Sequence, residues 1–106
     1  DDALRAVHLD DGRAIERDVA FVPPTFVPHN ALLRDLGCAL DENGWAITGP
    51  AGSTSTPGVW VAGNVVNPRA QVITAAGEGS AAAIAINTDL VEEDVARAVT
   101  DFIDAR

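Results

Sequence analysis

Apolar and polar positions alternate at the start of this chain and fall into helical spacing at its end. Leu4 to Leu9 and Arg13 to Val19 flank Asp10-Asp11-Gly12. An Asp-Gly pair between alternating segments predicts a β-hairpin with a type I′ turn, which needs positive φ at both central residues. His8 points to the opposite face from Val7 and Leu9 and reads as a surface residue. Val19-Ala20-Phe21-Val22 predicts a further short strand, closed by Pro23-Pro24 because proline removes the donors that continue a ladder. Asn30 as N-cap, with Leu32, Leu33 and Leu36 on one side, predicts two helical turns ended by Gly37. Asp41-Glu42-Asn43-Gly44 predicts a second hairpin-type turn, followed by a short strand at Trp45-Ala46-Ile47.

The most structured pattern runs from Thr54 to Ile86. Thr56-Pro57-Gly58 is a tight turn, since proline fixes φ and glycine accepts a positive one. Val59-Trp60-Val61-Ala62 predicts a short buried strand ended by Gly63. The loop from Asn64 to Arg69 supplies amides, a proline and a guanidinium, and a helix of very small residues begins at Gln71. Gly77 and Gly79 each cost about 1 kcal/mol in a helix interior relative to Ala, and close approach to a sheet or a ligand is the usual offset. After Asn87 the pattern predicts a break and a restart. Asp89-x-x-Glu92 has the form of a capping box, and Val91, Val95, Val99, Phe102 and Ile103 form one stripe of a last helix.

Composition narrows the picture. The 106 residues are 47% hydrophobic and 22% charged, the balance of one globular unit with a modest core. With Asp1 first and no methionine, the chain is expected either to have lost an upstream segment or to be part of a larger polypeptide. The net charge is −9 and every basic residue is arginine, which argues against nucleic acid and anionic membranes as partners. No apolar run reaches the roughly 18 residues that a membrane helix needs, and no signal peptide is evident, so a cytoplasmic protein is expected. The lone Cys38, between Gly37 and Ala39, reads as a small buried apolar residue rather than a reactive thiol. Asp2, Asp10 and Asp11 lack convergent ligand spacing, so no metal site is expected. Between Glu42 and Glu78 the only charged side chain is Arg69, where the strand hands over to the helix. That handover is where a cofactor would lie, because a helix start presents unpaired N–H groups to negative charge. Trp45 as an aromatic lid or a core residue, and His29 as a solvent-facing or proton-shuttling loop residue, both stay open.

The run TSTPGVWVAGN followed by AQVITAAGEGSAAAIAI resembles the C-terminal end of the FAD-binding domain in the thioredoxin reductase-like flavoproteins, a branch of the pyridine nucleotide-disulfide oxidoreductases. The family pattern is roughly T-S-x-P-G-V-[FW]-x-A-G-D, a short loop, then R-Q-A-I-T-A-A-G-x-G-x-x-A-A. The likeness covers about the last half of the chain, and the earlier part follows the family's order more loosely. It implies an α/β fold: the C-terminal part of a Rossmann-like FAD-binding domain (29–106), preceded by a β-hairpin and strand from the edge of the pyridine nucleotide domain (1–28). The crossing would lie near Pro23 to Pro28, where PPTFVPHN departs from the glycine-containing turn of relatives.

Position by position, the resemblance implies roles. Asn64 falls where the family has an aspartate that hydrogen-bonds the ribityl chain of FAD, and Gly63 precedes it in the motif. Gln71 and Val72 match the pair whose backbone lies near the flavin pyrimidine edge, where a helix N-terminus stabilises negative charge on the reduced ring. Ala70 stands where thioredoxin reductases usually have an arginine, with Arg69 one residue earlier. The parent would be an enzyme that passes electrons from NAD(P)H through FAD to an acceptor. Its partners would be the rest of that flavoprotein, with the last helix either covering the FAD domain or contacting a second subunit of a homodimer. Neither G-x-G-x-x-G fingerprint nor a C-x-x-C occurs in the chain, and the segment carries no catalytic acid, base or nucleophile of its own. Two other readings remain: a non-catalytic flavin-binding or regulatory module, and a free-standing acidic interaction domain.

The ADP half of FAD depends on a βαβ unit this segment does not contain, so the isolated segment is expected to be inactive and to bind FAD poorly. Equilibrium dialysis checks this, and tight binding by the segment alone would overturn it.

Overall fold

A computed structural model describes residues 2–106; Asp1, which opens the 1–28 unit, lies outside the described residues. The predicted hairpin forms from β1 (Ala6–His8) and β2 (Ala14–Glu16), antiparallel in the register Ala6 to Glu16, Val7 to Ile15 and His8 to Ala14. Val7 and Ile15 are half-buried, while His8 is exposed as its position in the alternation requires. The turn differs from the predicted type I′. Leu9 N–H donates to Arg13 O at 2.9 Å, Gly12 N–H donates to Leu9 O at 3.0 Å, and only Gly12 has positive φ. This is a three-residue loop with a left-handed last position, and Asp11 stabilises it by accepting from the Arg13 backbone and guanidinium.

Val19 to Val22 forms no strand. The only sheet among the described residues is the two-stranded hairpin, and Phe21 is 96% exposed. β-branched and aromatic residues favour a strand only where a neighbour pairs with it and a face is buried. Neither condition is met by the residues described.

The helix after Asn30 is α1 (Ala31–Asp35), shorter than the two turns predicted by about half a turn. Gly37 ends it as expected: Gly37 N–H donates to Arg34 O and Cys38 N–H to Leu33 O, the paired bonds of a Schellman motif. Asn30 does not cap with its side chain. Its Nδ2 instead donates to Gly44 O at 2.6 Å, which ties the start of α1 to the Asp41–Gly44 turn. In that turn Asp41 Oδ1 accepts from the backbone of Asn43 and Trp45. The strand predicted at Trp45–Ile47 reduces to one bridge, Leu40 to Ala46. A small core collects here: Leu33, Cys38 and Ala46 are buried, with Leu40, Val59, Val61 and Val65 packed against them. Cys38 donates weakly to Thr54 Oγ1 at 3.5 Å, in keeping with its reading as a buried apolar residue.

The Thr56-Pro57-Gly58 turn closes through Val59 N–H to Thr56 O. The following strand is also reduced, to a bridge between Ser53 and Trp60 and a bond from Val61 N–H to Gly52 O at 2.9 Å. Gly52 sits at φ +79 in the 3-10 turn Pro50–Gly52, and a Cβ there would collide with Val61 O.

α2 (Val72–Asp104) is one continuous helix of 33 residues, which corrects the break predicted after Asn87. No glycine or proline follows Gly79, and Thr88 donates its hydroxyl back to Ile84 O, so Asp89 and Glu92 lie inside the helix rather than at its start. Among the described residues the expected close approach at Gly77 and Gly79 is also absent: a Cβ at either would meet nothing within 4 Å. α2 packs against the 3-10 turns Pro50–Gly52 and Gly63–Val65 and against no other element described, leaving the Val91, Val95, Val99, Phe102 and Ile103 stripe exposed. No helix among the described residues is long and apolar enough to cross a membrane.

Two substitutions test this scaffold in the full-length protein. Asn30→Ala leaves the Gly44 carbonyl unpaired and is expected to cost roughly 1–3 kcal/mol in chemical denaturation. Gly52→Ala is expected to destabilise at least as much, by breaking the Val61 pairing.

Candidate functional site

The loop between the Trp60 bridge and α2 is built from the inside outward. Gly63, buried and at φ +77, turns the chain into the 3-10 turn Gly63–Val65. Its carbonyl accepts from Val66 N–H at 3.0 Å and Asn67 N–H at 2.9 Å. Its own N–H donates to Glu78 Oε2 at 2.7 Å, so a carboxylate on the second turn of α2 holds the loop against the helix. A side chain at 63 would both strain the backbone and press on Ala75 Cβ, 3.3 Å from where its Cβ would stand. Glu78 was missed in the sequence. The available signal was its isolation, as the one acid among the small residues at the start of this helix.

Asn64 is exposed, and its side chain turns back across the loop. Nδ2 lies 3.3 Å from Asn67 O, 3.4 Å from Pro68 O and 3.2 Å from Ala70 O, and it is the donor to all three. Only the amide nitrogen can serve three carbonyls, which assigns the orientation and turns Oδ1 away from them. Asn67 Oδ1 accepts from Arg69 N–H, and Ala70 N–H donates to Asn67 O, completing a closed turn. Gln71 is extended at φ −79, ψ 167, and α2 starts at Val72 with no side-chain cap and no acidic residue in its first turn. The first N–H groups of a helix have no partner within it, and here they open beside exposed Gln71, Val72 and Arg69.

Loop and helix start therefore bring Asn64, Arg69, Gln71 and Val72 into one exposed region, with Gly63 as its buried pivot. A cavity of about 450 Å³ adjoins it, lined by Phe26, His29, Trp45, Asn64, Val65 and Pro68 among others. Trp45 and His29, flagged separately in the sequence, thus border the same space as Asn64. A smaller cavity of about 250 Å³, lined by Gly52, Val61, Val66 and Glu78, lies where the loop meets the 3-10 turn Pro50–Gly52. Among the described residues no group of His, Cys, Asp and Glu is placed to hold a metal.

Comparison with known proteins identifies the family. The family model of the pyridine nucleotide-disulphide oxidoreductases matches residues 1–79. Among solved structures, HlmI superposes with a TM-score of 0.84 at 50% identity, over 99% of this chain and 33% of its own. The thioredoxin reductase of T. acidophilum superposes with a TM-score of 0.64 at 35% identity, over 74% of this chain and 26% of its own. The glutamate synthase [NADPH] small chain of Mycobacterium tuberculosis is 38% identical over 79 residues, which is 73% of this chain and 16% of that protein. The chain belongs to the pyridine nucleotide-disulphide oxidoreductases, a family of enzymes dependent on FAD and NAD(P)H. It spans about a third or less of the length of each relative named.

The clamp between Gly63 and Glu78 generates a prediction. Glu78→Ala orphans a part-buried N–H and is expected to cost roughly 1–3 kcal/mol, whereas Glu78→Gln keeps an acceptor and recovers most of it. Thermal unfolding of the full-length variants checks both.

Proposed function

We propose that this segment supplies the flavin contacts of a thioredoxin reductase-like oxidoreductase that passes electrons from NAD(P)H through FAD to an acceptor. The observation that carries the reading is the helix start of α2, uncapped and free of acid, opening beside the Asn64 amide and Arg69. The donor set fits a cofactor with a hydroxylated chain and a ring that gains negative charge. Asn64 Oδ1 is available to accept from a hydroxyl, and the N–H groups after Gln71 face solvent rather than a cap. FAD, when bound, supplies two-electron transfer between a nicotinamide and an acceptor. The chain's own residues bind and orient. Gly63 and Glu78 fix the loop, Asn64 holds the ribityl side, and the Gln71–Val72 backbone with the helix dipole favours negative charge at the ring edge.

The same reading assigns 1–28 to the edge of the NAD(P)-binding domain and 29–106 to the FAD-binding domain. It gives Val19–Val22 and the outer face of α2 their missing neighbours in the remainder of a cytoplasmic flavoprotein or in a second subunit. The aromatic and histidine lining of the 450 Å³ cavity suits a small, largely apolar acceptor beside the flavin.

The full-length protein is expected to purify with bound FAD, seen as flavin absorbance, and to oxidise NADPH or NADH when an acceptor is supplied. A folded full-length protein that takes up no FAD would overturn the reading. One that binds FAD but does not turn over would leave only a flavin-binding module.

A further inference from the structure

We propose that Asn43 is a site of spontaneous modification: its side-chain amide is lost to attack by the Gly44 nitrogen, and the isoaspartate that results unties the Asp41–Gly44 turn from α1. The chemistry needs only water and does not depend on a bound flavin.

The surroundings of the chain's five asparagines single this one out. Asn30 is buried, with Nδ2 committed to Gly44 O at 2.6 Å. Asn64 Nδ2 is shared among three loop carbonyls. Asn67 precedes Pro68, whose nitrogen has no hydrogen to lose and cannot close a ring. Asn87 lies inside α2, and the nitrogen that follows it belongs to β-branched Thr88. Asn43 alone is exposed, has a side chain without a hydrogen bond among the described residues, and is followed by a residue with no Cβ to obstruct the approach. Nor can the fold exchange Gly44 for a larger, protecting residue. Its φ is +85, and a Cβ there would stand 2.7 Å from Asn30 Nδ2. The contact that ties α1 to the turn thus also keeps the reactive pair in the sequence.

The Gly44 nitrogen gives up its proton and bonds to Asn43 Cγ, the Cγ–Nδ2 bond breaks, and Nδ2 leaves as ammonia. Water then opens the cyclic imide at either carbonyl. One opening gives aspartate; the other breaks the original peptide link and runs the chain through Cβ, as isoaspartate. Nothing is oxidised or reduced, and both products add one negative charge to the net −9. In the closed turn Gly44 N–H donates to Asp41 O at 3.0 Å and Gly44 O accepts from Asn30, so the turn must open before the nitrogen can attack. Asn30 is therefore the gate. The isoaspartate backbone is longer by one carbon, about 1.5 Å, which carries Gly44 O away from Asn30. It also displaces Trp45, which lines the 450 Å³ cavity and whose N–H is held by Asp41 Oδ1.

The test incubates the folded full-length protein at mildly alkaline pH and locates isoaspartate by peptide mapping, with an isoaspartate methyltransferase as the probe. Isoaspartate is expected at 43 ahead of 30, 64, 67 and 87, and to form faster as the pH rises, because the attacking nitrogen must lose its proton. Asn43→Ser is expected to abolish it. Asn30→Ala is expected to speed it about fivefold, as loss of one hydrogen bond implies. The isoaspartate form, separated by its added charge, is expected to melt below the Asn43→Asp variant, which carries the same charge on an unaltered backbone. Absence of isoaspartate at 43, or equal accumulation at another asparagine, would overturn the site. An unchanged rate in Asn30→Ala would overturn the gate; if that variant does not fold, equal rates in the folded and urea-unfolded wild type would do so instead. Equal melting of the isoaspartate form and Asn43→Asp would overturn the untying of α1.

Discussion

One hydrogen bond organises this chain: Gly63 N–H to Glu78 Oε2 across the angle between loop and helix. It works because Gly63 adopts a left-handed conformation that turns its amide toward α2, and because Ala75 is small enough to let the backbone come close. The Asn64 side chain can close the loop over Asn67, Pro68 and Ala70 only once the pivot at 63 is fixed. Without that bond, α2 would keep its contact with the 3-10 turn Pro50–Gly52, but its start would lose its relation to the loop.

The parts of the fold that the sequence disclosed are those set by local chemistry. Gly37 ends α1, Thr56-Pro57-Gly58 makes its turn, and Asp11-Gly12 and Asn43-Gly44 mark the other two turns, each because a few adjacent residues determine the outcome. The errors lie where geometry is decided from a distance. Asp10-Asp11-Gly12 took a three-residue loop because the Leu9 to Arg13 pairing suits one left-handed residue better than two. Asn30 abandoned the cap for Gly44, a partner fourteen residues on that no local pattern announces. Asp89-x-x-Glu92 had the letters of a cap, but a helix already running through small residues with no breaker does not stop for them.

The site shows the same division. The handover from strand to helix and the isolation of Arg69 were legible, since charge scarcity and small residues are visible in one dimension. What the side chains do there was not. The inward Glu78, the donated amide of Asn64 and the meeting of His29, Trp45 and Asn64 around one cavity all depend on contacts between distant positions. The departures from period-2 strands likewise follow from pairing: Val19–Val22 and Trp45–Ile47 have the composition of strands but lack the neighbours to complete them among the residues described.

α2 carries its fixed charges in the same sense as its backbone dipole. No acid stands in its first turn and no base in its last, where Asp101 and Asp104 face the carbonyl end instead. An isolated helix is stabilised by the opposite arrangement, by about 0.3–1 kcal/mol for each charge near an end. The far end carries the Arg106 guanidinium over the Phe102 ring at 5.0 Å as its one ring contact among the described residues, whereas the near end is held by Ala82, buried, and by the Glu78 bond. The loop at Gly63 meets α2 at Ala75 and Glu78, in its first two turns, far along the helix from Asp101 and Asp104.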